Sequence, residues 1–151
     1  MKLDVATQED VIPVTKLALQ FYRKTKWNDI RPIEASVMRE SILGLIMSPI
    51  SDIIIVRRGE DIIGAAGMVS GAYWANPSLT LASEIFWYIN PDFRRSKAGK
   101  LLFEGMDAWT AQRRCLASQL QASAGEEASR LKNVYTSKGY DELEHSYLKK
   151  L

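Results

Sequence analysis

The chain has 151 residues, 46% of them apolar and 25% charged, a composition that suits one globular domain and rules out a fibrous or disordered chain. Twenty basic and 18 acidic residues leave a net charge of +2, too balanced to signal a nucleic-acid-binding or membrane-surface protein. The longest uninterrupted apolar run, Ile85 to Ile89, is five residues, against the roughly 20 that span a bilayer. The first residues, Met1-Lys2-Leu3-Asp4, carry no apolar signal region. A single cysteine, Cys115, excludes an internal disulfide, and a single histidine, His145, gives a metal little to hold. The expectation is one soluble, cytoplasmic domain over 1–151, with no metal.

Lys2 to Ala6 alternates, with Leu3 and Val5 on one side, and predicts a first strand. Thr7 and Asp10 are helix-capping residues, and Pro13 falls in the first turn, where a missing N–H costs little. Val11, Val14, Ala18, Phe21 and Tyr22 then recur at helical spacing to about Lys24. Trp27 to Pro32 predicts a loop, and Met38, Ile42, Leu45 and Ile46 mark a second helix that Pro49 ends. Ile53 to Val56 is a short β-branched strand. Gly59-Glu60-Asp61 turns the chain into a returning strand, Ile62 to Val69, and a bulky loop follows from Gly71 to Ser78.

Thr80 to Ile89 is the strongest strand pattern, with Leu81, Ile85, Trp87 and Ile89 on one face and Ala82, Glu84, Phe86 and Tyr88 on the other. Asn90-Pro91-Asp92 stops it. A third helix follows Arg94 to Lys100, with Ala98, Leu101, Leu102, Gly105 and Trp109 inward. Cys115 to Ala122 is a further strand, in which Cys115 is a small core residue. Gly125 precedes a fourth helix bearing Ala128, Leu131 and Tyr135, Gly139 ends it, and Tyr140 to Leu151 supplies one or two final strands. The order β-α-α-β-β-β-α-β-α-β places the chain in the α/β (α+β) class, a mixed sheet covered by about four helices.

The unit that carries chemistry is a strand ending at Pro91, then Arg94-Arg95-Ser96-Lys97-Ala98-Gly99-Lys100, then a helix. Four of these seven residues are basic and none is acidic. A helix N-terminus presents unpaired N–H groups and partial positive charge, so this segment suits a phosphate or pyrophosphate. Gly99 lets a ligand approach the backbone. A solvated basic turn that merely starts a helix has the same composition.

The element order and this loop resemble the GCN5-related N-acetyltransferase (GNAT) family, whose fourth strand leads into Arg/Gln-x-x-Gly-x-Gly/Ala. Arg94-Arg95-Ser96-Lys97-Ala98-Gly99 matches the first and last motif positions, whereas Lys97 stands where the family has its first glycine. Asn90-Pro91-Asp92-Phe93 resembles the preceding passage, and Val134-Tyr135-Thr136-Ser137-Lys138-Gly139-Tyr140 resembles the family's Leu-Tyr-x-x-x-Gly-Phe signature. The resemblance implies a mostly antiparallel sheet and an acetyl-coenzyme A-dependent N-acetyltransferase acting by direct attack of an amine. The pyrophosphate would lie on Arg94, Arg95, Ser96, Lys97, Ala98, Gly99 and Lys100, and backbone N–H groups around Tyr88, Ile89 and Asn90 would polarise the thioester carbonyl. Tyr135 takes the role of proton donor to the departing thiolate, although its helical spacing also suits plain core packing.

The amine must lose a proton, and Glu84, the one acid in its strand, is the candidate base: burial would raise its pKa toward neutrality. A strand-end glutamate paired with a neighbouring cation is the plainer alternative. The family places the acceptor between the loop joining the first two helices and the loop after the third strand. These hold Tyr22, Trp27, Asn28 and Asp29 on one side and Tyr73, Trp74 and Asn76 on the other. The aromatics make pocket walls or cap the core equally well. The acceptor is then a small-molecule or protein amine, the acyl group acetyl or longer, and the resemblance is compatible with a homodimer. A non-catalytic module on the same fold is the alternative that Lys97 keeps open, and a nucleic-acid-directed role is disfavoured by the charge balance.

Overall fold

Short alternating and β-branched segments pair into one sheet in the computed structural model, which describes residues 1–123 and 126–151. Strands β1 (Lys2–Val5), β2 (Ser51–Arg58), β3 (Asp61–Tyr73) and β4 (Asn76–Ile89) are antiparallel neighbours in chain order, and β5 (Ala117–Gln119) lies parallel beside β4. Helices α1 (Val11–Tyr22), α2 (Lys26–Ile30) and α3 (Ala35–Met47) separate β1 from β2, α4 (Ala98–Gln112) joins β4 to β5, and α5 (Glu126–Ser137) follows.

Both faces of the sheet are covered, which is why Ile53 to Val56 is an unbroken apolar run rather than an alternating one. On one face Val14, Leu17 and Ala18 of α1, with Met38 and Ile42 of α3, pack on Ile53, Ile55, Ala65, Phe86 and Tyr88. On the other, Ala98, Leu102, Met106 and Trp109 of α4 cover Ile54, Val56, Ile63, Met68 and Ala82. Gly105 lets α4 lie close: a Cβ there would come within 2.9 Å of Ile54 and 3.0 Å of Leu3. Polar clasps fix the helix ends. Arg57 donates to the buried Asp10 at 2.7 Å at the start of α1, while Trp109 Nε1 and Arg113 of α4 both donate to Asp52 at 2.7 Å.

Several expectations are corrected. Trp27 to Pro32 is not all loop: α2 forms between two local clasps, Thr25 Oγ1 donating to the Tyr22 carbonyl and Tyr22 Oη donating to that of Arg31. The bulky loop at Gly71 to Ser78 is two continuing strands joined at Trp74 and Ala75. Pro77 is tolerated because β4 has only one ladder partner there. Five α-helices occur among the described residues, where about four were expected.

The predicted strand Cys115 to Ala122 shrinks to Ala117–Gln119, and Cys115, half-buried, belongs to the turn before it. Gly125 lies outside the described residues. Tyr140 to Leu151 forms no strand. β5 offers an edge only three residues long, and this segment bonds elsewhere: Glu142 pairs with Lys132 on α5, and Lys150 donates to the Asp29 carbonyl, while Glu142 and His145 pair within the segment.

The faces of β4 also differ from the simple alternation. Gly67 pairs with Phe86 but Met68 pairs with Glu84, so Ile85 is an extra, bulged residue. Past the bulge the faces exchange: Phe86 and Tyr88 point toward α1, while Glu84 and Ala82 join Trp87 and Ile89 on the α4 side. Ile85 is left exposed, and Glu84 does not share a face with Phe86 and Tyr88.

Candidate functional site

The bulge coincides with a fork in the sheet. β5 pairs with β4 only at Leu81, Ala82 and Ser83; beyond them the chain after β5 bends away and β4 runs on with that edge open. Successive N–H groups of a strand alternate sides. The N–H of Asn90 bonds to the Ile63 carbonyl at 2.9 Å on the β3 side, so Ile89 and Trp87 turn theirs to the open edge. Asn90 Oδ1 accepts from the Asp92 N–H and the Asn90 carbonyl from the Phe93 N–H, so both acceptors of Asn90 serve the turn into α4.

Glu84 and Tyr135 meet at the crotch of the fork. The Gln121 N–H donates to Glu84 Oε2 at 3.0 Å, and Tyr135 Oη donates to the Gln121 carbonyl at 2.9 Å, so one peptide stretch is held by both side chains. Glu84 is 5% exposed. Burial pushes its carboxyl up to about 7, against the lowering effect of the Gln121 N–H. Burial, and then the charge of Glu84, push the Tyr135 phenol well above the ordinary tyrosine range.

Tyr135 is placed by the end of its helix. Gly139, at φ +85°, ends α5, with the Tyr140 N–H bonded to the Tyr135 carbonyl and the Gly139 N–H to that of Thr136. This pair of bonds is a Schellman cap, and its usual apolar contact is the Tyr135–Tyr140 ring pair at 6.0 Å. Phe103 and Trp87 flank Tyr135 at 6.4 and 6.5 Å.

The open edge of β4, the start of α4 and one side of α5 enclose a cavity of about 420 Å³. Trp87, Tyr88, Ile89, Phe103, Leu131 and Val134 supply apolar wall, and Ser96 and Gly99 supply backbone at the helix start. Arg94, Lys100, Arg130 and Lys138 supply four cations, with no carboxylate among the described lining residues. The first α4 N–H to reach back to a carbonyl before the helix is that of Leu101, to Lys97, and the N–H groups before it belong to the helix mouth. Ser96 Oγ accepts the Ala98 N–H at 3.2 Å and donates to Phe93.

Of the expected binding residues, Tyr88, Ile89, Arg94, Ser96, Gly99 and Lys100 line this cavity. Ala98 turns its methyl into the core, fully buried, while Arg95 and Lys97 are exposed on the loop. Lys97 has φ −72° and ψ −4°, ordinary right-handed backbone, so nothing in the chain's path requires glycine at that position. Tyr135 and Glu84 lie at the fork behind the lining. The two aromatic pairs are not brought together: Tyr22 and Trp27 belong to the α1–α2 corner, while Tyr73 and Trp74 meet as tilted rings 5.9 Å apart on the far hairpin, where Trp74 is 86% exposed. Trp87 lies eleven positions after Asn76 along β4, on the order of 35 Å of strand.

Sequence reasoning missed Arg130, Val134 and Lys138, although their spacing of four aligns them along α5 and the turn that follows it. Within α4 it missed Phe103, which the structure places in both core and cavity wall. No group of three or more metal-ligating side chains occurs among the described residues, and none of their helices is long and apolar enough to cross a membrane.

No family model matches the sequence, and no curated protein matches it. Solved structures do match the fold over its whole length. A mutant of a Bacillus halodurans protein superposes with a TM-score of 0.79 at 19% identity, covering 100% of this chain and 99% of that one. The acetyltransferase AAC(6')-Iy, solved with a bisubstrate analog joining coenzyme A to monomethyl-acetylneamine, gives 0.78 at 13%, covering 99% and 97%. A GNAT family acetyltransferase of Staphylococcus aureus gives 0.69 at 15%, covering 99% and 98%.

Proposed function

We propose that this chain, which has the fold of the GNAT acetyltransferases, is a cytoplasmic enzyme that transfers an acetyl group from acetyl-coenzyme A to a primary amine of a small molecule, protein or peptide. The observation that carries the reading is the cavity at the fork. Its size falls within the range of small-molecule sites, and it combines apolar wall, a helix N-terminus and four cations without a described carboxylate. That is the complement of a ligand with an apolar arm and several phosphate charges. The ordinary backbone at Lys97 supports an intact loop over the non-catalytic alternative.

The neutral amine nitrogen attacks the acyl carbon, the C–N bond forms as the C–S bond breaks, and the proton lost by nitrogen is balanced by one gained at sulfur or by solvent. In this reading the N–H groups of Trp87 and Ile89 on the open edge are the donors available to the carbonyl oxygen. In the same reading Tyr135 turns its O–H from the Gln121 carbonyl to the leaving sulfur, and Glu84, behind the lining, takes the amine's proton through an intervening water. Both are buried at the point where β4 and β5 part, and Glu84 titrates near neutrality.

Calorimetric titration with acetyl-coenzyme A tests the proposal directly. Micromolar binding is expected; no heat at millimolar coenzyme overturns it. A thiolate with a pKa of about 8–9 leaves without complete protonation, so Tyr135→Phe forfeits roughly one hydrogen bond. Turnover should fall about tenfold with coenzyme affinity unchanged; lost affinity with normal turnover would remove Tyr135 from the leaving-group role.

A further inference from the structure

We propose that the acceptor of this enzyme is an amine with carboxylates beside it, such as an acidic peptide or amino acid, and that Lys24 selects it. The inference rests on the acetyltransferase reading and adds the charge class of its second substrate. Tyr88 connects the two sides of the site. It lines the cavity, yet its ring projects to the α1 face of β4, where Phe21 packs against it at 6.5 Å and against Phe86 at 5.9 Å. These contacts bring the end of α1 to the cleft. Lys24 Nζ then stands 5.2 Å from the centre of the Tyr88 ring, and the Arg94 guanidinium 5.5 Å from the same ring.

The segment behind Lys24 has the same sign. Between residues 23 and 31 stand Arg23, Lys24, Lys26 and Arg31 against one acid, Asp29, a net charge of +3 where the entire chain carries +2. Asp29 is itself engaged by Lys26 at 3.8 Å. Tyr22 Oη, bonded to the Arg31 carbonyl at 2.9 Å, folds the segment back toward the end of α1. No ion pair to Lys24 occurs among the described residues, and Phe86 and Tyr88 give the α1 face of β4 no carboxylate between the bulge and Asn90. Glu84, the acid of this strand, has been turned to the other face by the bulge.

An approaching molecule therefore meets positive charge first. A polycation is repelled, whereas an acceptor with carboxylates is drawn in and held.

Three acceptors with one identical amino terminus separate the outcomes: Ala-Glu-Glu as the free acid, Ala-Gly-Gly amide and Ala-Arg-Arg amide, each assayed for kcat/KM with saturating acetyl-coenzyme A. The acidic peptide should exceed the arginine peptide by at least about tenfold at low ionic strength, with the ratio shrinking at 0.5 M salt, as screening requires. Lys24→Glu should reverse the order while leaving the dissociation constant for acetyl-coenzyme A unchanged. Equal or better use of the arginine peptide, or a ratio insensitive to Lys24→Glu, overturns the inference and leaves the transferase reading standing. Coenzyme binding without acyl transfer to any of the three overturns the inference alone, whereas absence of acetyl-coenzyme A binding overturns the transferase reading beneath it.

Discussion

Replacing Arg130 and Lys138 together by glutamate should weaken acetyl-coenzyme A binding by about a hundredfold or more at low salt, while the melting temperature falls by only a few degrees as Lys138 leaves the Phe103 ring and the end of α5. Arg130 on α5 and Lys138 in the turn just after it are both exposed and both line the cavity. A hydrogen bond to a charged group contributes about 1.5–3 kcal/mol, so two of them amount to at least two decades in affinity. Reversal adds repulsion from two introduced carboxylates. Isothermal titration at two ionic strengths reads the effect. Wild-type affinity should fall steeply as salt rises, and the double variant should show a much flatter dependence. An affinity within threefold of wild type would mean that the phosphates do not visit this side of the cleft, and the cation count would lose its explanatory value.

Glu84→Gln should remove a pH dependence from both stability and catalysis. The carboxyl titrates at about 7 in the fold, against a reference of 4.5, so between these values the folded state holds a proton that the unfolded state has lost. The stability attached to that proton is fully present below about pH 4.5 and is lost as pH rises through 7. The span corresponds to about 3 kcal/mol as an order of magnitude. Glutamine is isosteric and still accepts the Gln121 N–H, so the variant should keep the fold, outlast wild type at pH 8 and show a flatter stability profile over this range. In turnover, wild type should slow as pH falls below 7, when the base is protonated, and the variant should be slow throughout without that inflection. A variant with the wild-type rate profile removes Glu84 from proton transfer; one with the wild-type stability profile removes it from the titration altogether.

The residues that repeat locally were readable in advance, and those that depend on distant partners were not. Val14, Ala18, Met38, Ile42, Leu102 and Trp109 recur at helical spacing and are buried as that spacing requires. Gly139 marks the end of α5 because only its left-handed backbone permits the cap. The β4 faces could not be read, because a bulge is a statement about two strands at once: nothing in Ser83 to Trp87 shows that Met68 lies opposite Glu84. Strand length failed at β5 for the same reason, since Glu84 and Tyr135 capture Gln121 and bend the chain out of the ladder. Of the site, the basic turn and Tyr135 were visible as motifs, whereas Arg130 and Lys138 become legible only once α4 and β4 stand across from α5. The hairpin aromatics Tyr73 and Trp74 mislead because β-forming residues next to Gly71 and Pro77 mimic a loop.

Three ladder rungs and the paired hold on Gln121 tie β5 and the chain leading to α5 onto the sheet beside the fork. Amide exchange makes the meaning of so slender a tether concrete. Protons in β2 and β3, paired on both sides, should exchange only through global unfolding, whereas those of β5 and α5 should exchange through a smaller opening that leaves the remaining sheet intact. A ligand gripping α4 and α5 at once opposes that opening, so the slowing it causes should be concentrated in the last third of the chain. The molecule thus keeps its most stable amides remote from the cleft and its most labile ones beside it, and the lifetime of the closed state is set largely by what fills the space between.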